Sequence, residues 1–151
     1  MTGPAQSPER RKGMIFRRDL RIEWGDCDPA GIVFYPRYLA FFDTNTAYLM
    51  EAAGLPRRRL NEEYGILGMP LIDVQAKFLL PSRCGDRVTV ESNVADCSRS
   101  RIILEHRILR GDQLAVHGRE SRVWASTSSS GADGLKICAA PEEVVSQLLK
   151  F

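Results

Sequence analysis

Two aspartates, Asp26 and Asp28, sit either side of Cys27 in the stretch GDCDPAG at positions 25–31, a turn bounded by Gly25, Pro29 and Gly31. A long segment with apolar residues at helical spacing begins a few residues later, near position 36. A carboxylate held rigidly in such a turn can attack an activated carbonyl, or direct water at it. A thioester is one such carbonyl, because sulfur donates electrons to it poorly. The first N–H groups of the helix lack partners and carry the positive end of the helix dipole, so they can stabilise the oxyanion that develops. On residue type alone, the plainer explanation of each aspartate is a turn former whose side chain bonds nearby backbone N–H groups.

Other residues could do chemistry too. Asp43 falls inside the long helix, where a buried carboxylate must either pair or face a polar cavity. Glu51 lies eight residues further on, along roughly the same face. It reads as structural, and as the reserve catalytic carboxylate should Asp28 fail. Arg57, Arg58 and Arg59 follow the expected helix end, where cations are favourable, and read as structural. The two histidines, His106 and His117, lie in expected strands remote from the turn and read as ordinary strand residues.

Several chemistries are excluded. There is no G-x-S-x-G elbow, G-x-G-x-x-G, G-x-x-x-x-G-K-[ST] or H-E-x-x-H. Cys27, Cys84, Cys97 and Cys138 are scattered without a C-x-x-C pair, so neither a zinc site nor a disulfide framework is expected, and they read as small apolar side chains. No metal or cofactor is implied. The formal net charge of +2 makes no case for nucleic-acid binding. No apolar run approaches the roughly 20 residues needed to span a bilayer. The N-terminus has charges but no apolar stretch after them, so it is not a secretory signal, and a cytoplasmic location is expected.

The elements that must position these residues follow from the hydrophobic pattern. The 151 residues suit one domain, 14–151, behind a flexible tail at 1–13. A strand is expected at 16–24. The helix follows at about 36–53, with Pro36 in its first turn and Gly54 ending it. Tyr38, Leu39, Phe42, Thr46, Leu49, Met50 and Ala53 form its stripe, and Ala40, Phe41, Ala47 and Tyr48 widen it. A helix apolar over so much of its circumference is one that other elements wrap around. The second half reads as sheet. Strands are expected near 70–79, at 87–96 with Val88, Val90, Ser92 and Val94 on one face, at 101–110, and at 113–127 after a tight Gly111-Asp112 turn. A loop at 128–134 and a closing helix at 141–150 complete an α+β order in which an antiparallel sheet curls around one long helix.

The stretch EWGDCDPAGIVFYPRYLAFFD (23–43) closely resembles the opening of the Pseudomonas-type 4-hydroxybenzoyl-CoA thioesterases. GLP at 54–56, GILGMPL at 65–71 and the strand pattern of 72–127 are similar to that family as well, so the resemblance covers about residues 20–127. It implies a hotdog fold and the hydrolysis of an aromatic acyl-CoA. It puts the catalytic carboxylate on the second aspartate, Asp28, and the oxyanion donor on the backbone amide of Tyr35. Phe34, Asp43 and Met69 fall at positions that border the acyl pocket. Phe34 stands where the family commonly has Trp, and Met69 where it has Thr, which leaves the aromatic acid open. Arg99, Ser100 and Arg101 match a basic cluster that grips the phosphates of coenzyme A, although the family's cluster is denser. The resemblance also implies that two chains join edge to edge, with the active site at their interface, in a homodimer or homotetramer. Two alternatives are a short-chain aliphatic acyl-CoA or acyl carrier protein thioesterase, and a non-catalytic module that binds acyl-CoA.

Overall fold

The computed structural model describes residues 13–127 and 134–151. In chain order they form β1 (Phe16–Arg21), α1 (Tyr35–Ala52), α2 (Arg57–Tyr64), β2 (Ile66–Gly68), β3 (Leu71–Phe78), β4 (Arg87–Cys97), β5 (Arg101–Arg110), β6 (Gln113–Thr127), β7 (Leu135–Cys138) and α3 (Glu142–Lys150). The expected tail and the loop at 128–134 lie almost wholly outside the described residues.

The three long strands arise where period-two alternation is cleanest, and they form the middle of one antiparallel sheet in the order β1-β4-β5-β6. β6 also pairs with β3 along Val116–Arg122 and with β2 at Ala125 and Ser126. β7 pairs with its last four residues, beyond the Val123 that faces the first residue of β5. α1 lies against this sheet and buries Tyr38, Phe42, Asn45, Thr46, Leu49 and Met50. Gly54, at φ +77°, follows the helix end in the left-handed conformation that glycine adopts without strain. This is the α+β hotdog arrangement.

The core is divided. One apolar cluster holds Leu49, Leu60, Ile102, Leu104, Trp124 and Leu148, and the other holds Ile22, Phe42, Val88, Val90, Ile108 and Val116. Between them runs a layer of buried polar side chains: Asn45, Ser92, His106, Glu120 and Arg122. Phe42 stacks flat on the imidazole of His106, with centroids 4.5 Å apart and planes 8° apart. Gly118 pairs with His106 in the sheet and gives the Phe42 ring its space, since a Cβ there would fall 2.5 Å from Phe42 Cε2.

Three expectations need correction, and α2 was not among the expected elements. β1 ends at Arg21, because Trp24–Asp26 coil into a turn of 3-10 helix. α2 carries one buried residue, Leu60, too few to leave a hydrophobic period in the sequence. It is braced instead by two ion pairs at four-residue spacing, Arg58–Glu62 and Arg59–Glu63, both at 3.0 Å. Arg57, Arg58 and Arg59 therefore open a helix, where the dipole disfavours cations, and the dipole argument for their role does not hold. Lastly, α1 is wrapped on one side within this chain, and Ala40, Asp43, Ala47, Tyr48 and Glu51 stay exposed.

Candidate active site

The GDCDPAG turn is a closed local structure. The Asp28 amide donates to the Ile32 carbonyl at 2.9 Å, and the Gly31 amide donates back to the Asp28 carbonyl at 2.9 Å. Gly31 sits at φ +78°, which a side chain would strain. Cys27 and Val33 form an isolated antiparallel bridge that fastens the ends of the turn. Within it, Asp28 Oδ1 accepts from the Ala30 amide at 2.8 Å, and its Oδ2 has no donor among the described residues. Asp28 is thus fixed through one oxygen and left with the other.

Asp26 has a different environment. Its carboxylate accepts from the Glu23 amide at 2.9 Å and faces Arg37 at 3.8 Å, while its carbonyl accepts from the Phe34 amide at 2.8 Å. Those bonds tie the turn to the start of α1. Tyr35 is the first residue of α1, and its amide finds no acceptor among the described residues. Pro36 has no N–H, so Tyr35 is the donor that the helix N-terminus leaves open beside the turn. Trp24, Phe34 and Tyr35 are exposed around it, and Phe34 packs on the Tyr35 ring at 5.4 Å.

Asp43 and Met69 come together in a separate cleft of about 560 Å³ between α1, α2, β2 and β6. Met50, Leu60 and Ile66 give it apolar walls, and Arg122 is the buried cation in its lining. Glu51 and Arg57 also line it. Asp28, Phe34 and Tyr35 do not. Tyr35 instead borders a smaller hollow of about 250 Å³ with Tyr38, Phe78 and Leu79. One chain therefore holds Asp28 with the open Tyr35 amide, and the cleft, as two separate parts.

Arg99 and Ser100 lie in the exposed turn between β4 and β5, Arg101 is the exposed first residue of β5, and none of the three lines either cavity. Arg99 Nε donates to the Ala140 carbonyl at 3.1 Å, and the Ser100 hydroxyl lies 3.1 Å from that of Ser98. The Arg101 guanidinium has no acceptor among the described residues. Among the described cysteines, Cys97 is buried, which pushes its thiol up to about 12 and makes it inert.

The sequence reading missed an ion-pair network at the cleft. Arg122 donates through Nη2 to Asp43 Oδ1 at 3.0 Å and through Nε to Glu120 Oε2 at 3.0 Å. His106 Nε2 lies 3.1 Å from Glu120 Oε2. Burial would raise the Glu120 carboxyl, but its bonds to His106 and Arg122 outweigh burial and hold it below the usual range. His106, read as an ordinary strand residue, is in fact fully buried and central to this network.

The profile of the thioesterase-like superfamily matches residues 22–148. The 4-hydroxybenzoyl-CoA thioesterase of Pseudomonas sp. (strain CBS-3) is 33% identical over 125 residues, spanning 79% of this chain and 89% of that protein. A crystal structure of a mutant 4-hydroxybenzoyl-CoA thioesterase in complex with 4-hydroxybenzoyl-CoA superposes with a TM-score of 0.81 at 28% identity, covering 89% and 98% of the two chains. The structure of the gentisyl-coenzyme A thioesterase BH1999 superposes with a TM-score of 0.73 at 29% identity, covering 85% and 98%. With a rigid carboxylate beside a free helix N-terminus and a match over most of its length, the chain belongs to the thioesterase-like superfamily and is a thioester hydrolase.

Proposed function

We propose that this hydrolase cleaves an aromatic acyl-coenzyme A of the 4-hydroxybenzoyl type, giving the free acid and coenzyme A. The observation that carries this reading is Asp28, held by one carboxylate oxygen with the other free, in the turn ahead of the unpartnered Tyr35 amide. Asp28 attacks the thioester carbonyl or directs water at it, and the Tyr35 amide receives the oxyanion. The cleft at Asp43 and Met69 takes the acyl group, its size being in the usual range for a small-molecule pocket. The groups named for the similar enzymes, 4-hydroxybenzoyl and gentisyl, are both hydroxylated benzoyl groups, which supports an aromatic substrate. A coenzyme A release assay over aromatic and short aliphatic thioesters, and an acyl carrier protein thioester, tests it. The highest kcat/KM is expected on an aromatic thioester. A preference for an aliphatic one would replace the substrate, and binding without release would replace the function.

The two parts of the site lie at opposite ends of β3. Leu71 follows Met69 and the cleft, whereas Phe78 borders the hollow beside Tyr35, seven residue steps away, or roughly 24 Å. β3 pairs only with β6, so its other edge has no partner among the described residues, and Leu71, Ile72, Phe78 and Leu79 are exposed along it. Antiparallel pairing of that edge with a second copy would set the Asp28 turn of one chain against the cleft of the other, and would cover the apolar side chains. A homodimer or homotetramer is expected by light scattering at assay concentration. An active monomer would sink this assembly.

Arg99 and Arg101 are proposed to meet the phosphates of coenzyme A, far from the reacting carbonyl, and so to hold ground and transition states about equally. The double variant Arg99→Ala/Arg101→Ala is expected to lose at least about tenfold in kcat/KM on the coenzyme A thioester, through KM. It should lose almost nothing on a pantetheine thioester, which lacks those phosphates. An equal loss on both would return the two arginines to a structural role and make Arg57, at the cleft and without an ion-pair partner among the described residues, the next to test.

A further inference from the structure

The Asp28 turn is fastened differently at its two ends. Backbone holds the far end: the Val33 amide donates to the Ser82 carbonyl at 2.9 Å, and Ile32 bridges to Arg83, which ties the turn to the connection between β3 and β4. The near end, Gly25 and Asp26, has to meet the start of α1. One backbone bond does so, from the Phe34 amide to the Asp26 carbonyl at 2.8 Å. The rest falls to one side chain. Arg37, in the first turn of α1, donates through Nη2 to the Gly25 carbonyl at 3.3 Å, and its Nε faces Asp26 Oδ1 at 3.8 Å. Among the described residues, no other side chain of α1 hydrogen-bonds or ion-pairs with the turn.

Stability does not account for a cation at this place. The positive end of the helix dipole disfavours it. The Arg37 side chain is 50% exposed, and an exposed ion pair contributes little. What Arg37 does have is two acceptors on consecutive residues, a carbonyl and a carboxylate, which its rigid fork can meet together. The Asp26 carboxylate is itself fixed by the Glu23 amide at 2.9 Å and is only 17% exposed, so Arg37 grips a point that does not move freely. Asp28 stands two residues beyond Asp26, and the open Tyr35 amide stands two residues before Arg37. The guanidinium thus spans the junction between the two groups that the reaction needs in register.

We propose that Arg37 is a positioning residue: by holding Gly25 and Asp26 against the first turn of α1, it sets where the free oxygen of Asp28 falls relative to the Tyr35 amide. This rests on the reading above that those two groups perform the reaction. Arg37 lines neither the cleft nor the smaller hollow, so its effect passes through the placement of Asp28. Placement matters steeply, since a shift of about 1 Å can cost on the order of a hundredfold in rate.

Arg37→Met keeps an unbranched apolar stem but loses every donor. On 4-hydroxybenzoyl-CoA, or on the aliphatic thioester cleaved best if the wild type does not cleave that one, kcat is expected to fall at least about tenfold, with KM within a few-fold and an unchanged thermal melt. A double-mutant cycle with Asp28→Asn then separates positioning from general support of the fold. Once the Asp28 carboxylate is gone its placement no longer matters, so Arg37→Met should lower the residual kcat by less than about twofold. The same fold loss in both backgrounds, no loss in either, or a loss carried by KM would overturn the positioning role while leaving Asp28 in the chemistry. If Asp28→Asn alone keeps wild-type turnover, the catalytic reading has failed and Arg37 loses its role with it. Should Arg37→Met not fold, Arg37→Lys, which keeps the charge but not the fork, enters the same cycle under the same criteria.

Discussion

Replacing Asp28 with asparagine is expected to lower kcat at least about a hundredfold while leaving KM within a few-fold. Asparagine keeps the Oδ1 that accepts from the Ala30 amide, so the turn and its Gly31 conformation should stand. It lacks the negative charge and the free second carboxylate oxygen, which are what attack on the thioester, or activation of water, requires. In the proposed function, binding energy comes from the cleft and the coenzyme A contacts, which the substitution does not touch, so the effect should fall on turnover. Steady-state kinetics beside a thermal melt tests this. Near wild-type turnover would remove Asp28 from the chemistry, and Glu51, which lines the cleft, would be examined next. Asp26→Asn provides the contrast. Its partners are the Glu23 amide and Arg37, so its cost should appear as a loosened turn rather than a lost reaction step.

The contrast between the two aspartates shows what the sequence made legible. The turn is local: the backbone–backbone hydrogen bonds of its seven contiguous residues, with Gly25, Pro29 and Gly31 at fixed places, all stay within residues 23–34. The long strands were legible for the same kind of reason, since period-two alternation marks a half-buried strand wherever it folds. α2 and β7 were not, because eight residues with one buried side chain, and four mostly exposed residues, leave no period to read. Arg57 was misjudged with α2.

The buried network was harder still, because it joins a helix to three strands that are far apart in sequence. A trace of it was nevertheless present. In β6, Gly118, Glu120 and Arg122 stand in phase with Val116 and Trp124, which face the core. An inward Glu and Arg on such a face require partners. In β5, His106 stands in phase with Leu104 and Ile108 and supplies one of them. Asp43 was expected either to pair or to face a polar cavity, and it pairs with Arg122 at a cleft whose walls are largely apolar. Its place on the exposed side of α1 follows from the helix being covered on one face alone within a single chain, which no pattern within α1 could reveal.

The largest loss of stability is expected from Glu120→Ala. It leaves the Arg122 guanidinium buried without its closest counter-charge, and His106 Nε2 without its hydrogen-bond partner. Breaking a buried pair from one side typically costs about 3–5 kcal/mol. Asp43 still contacts Arg122, but it is mostly exposed, and solvent screens what it can contribute. The acid dependence has a definite sign. The folded Glu120 carboxyl lies below its ordinary value of 4.5, because the bonds from His106 and Arg122 outweigh the burial that would raise it. Its contribution is therefore complete above that value and is lost as the pH falls through the lower, folded value. In denaturant melts, the gap between wild type and Glu120→Ala should be constant from neutral pH down to about 5 and should narrow below that. A gap that widens on acidification would mean that Glu120 is protonated in the native protein at neutral pH. In that case Arg122 would have only Asp43 as its counter-charge, and the loss on replacing Glu120 at neutral pH would fall well short of the range for a buried pair.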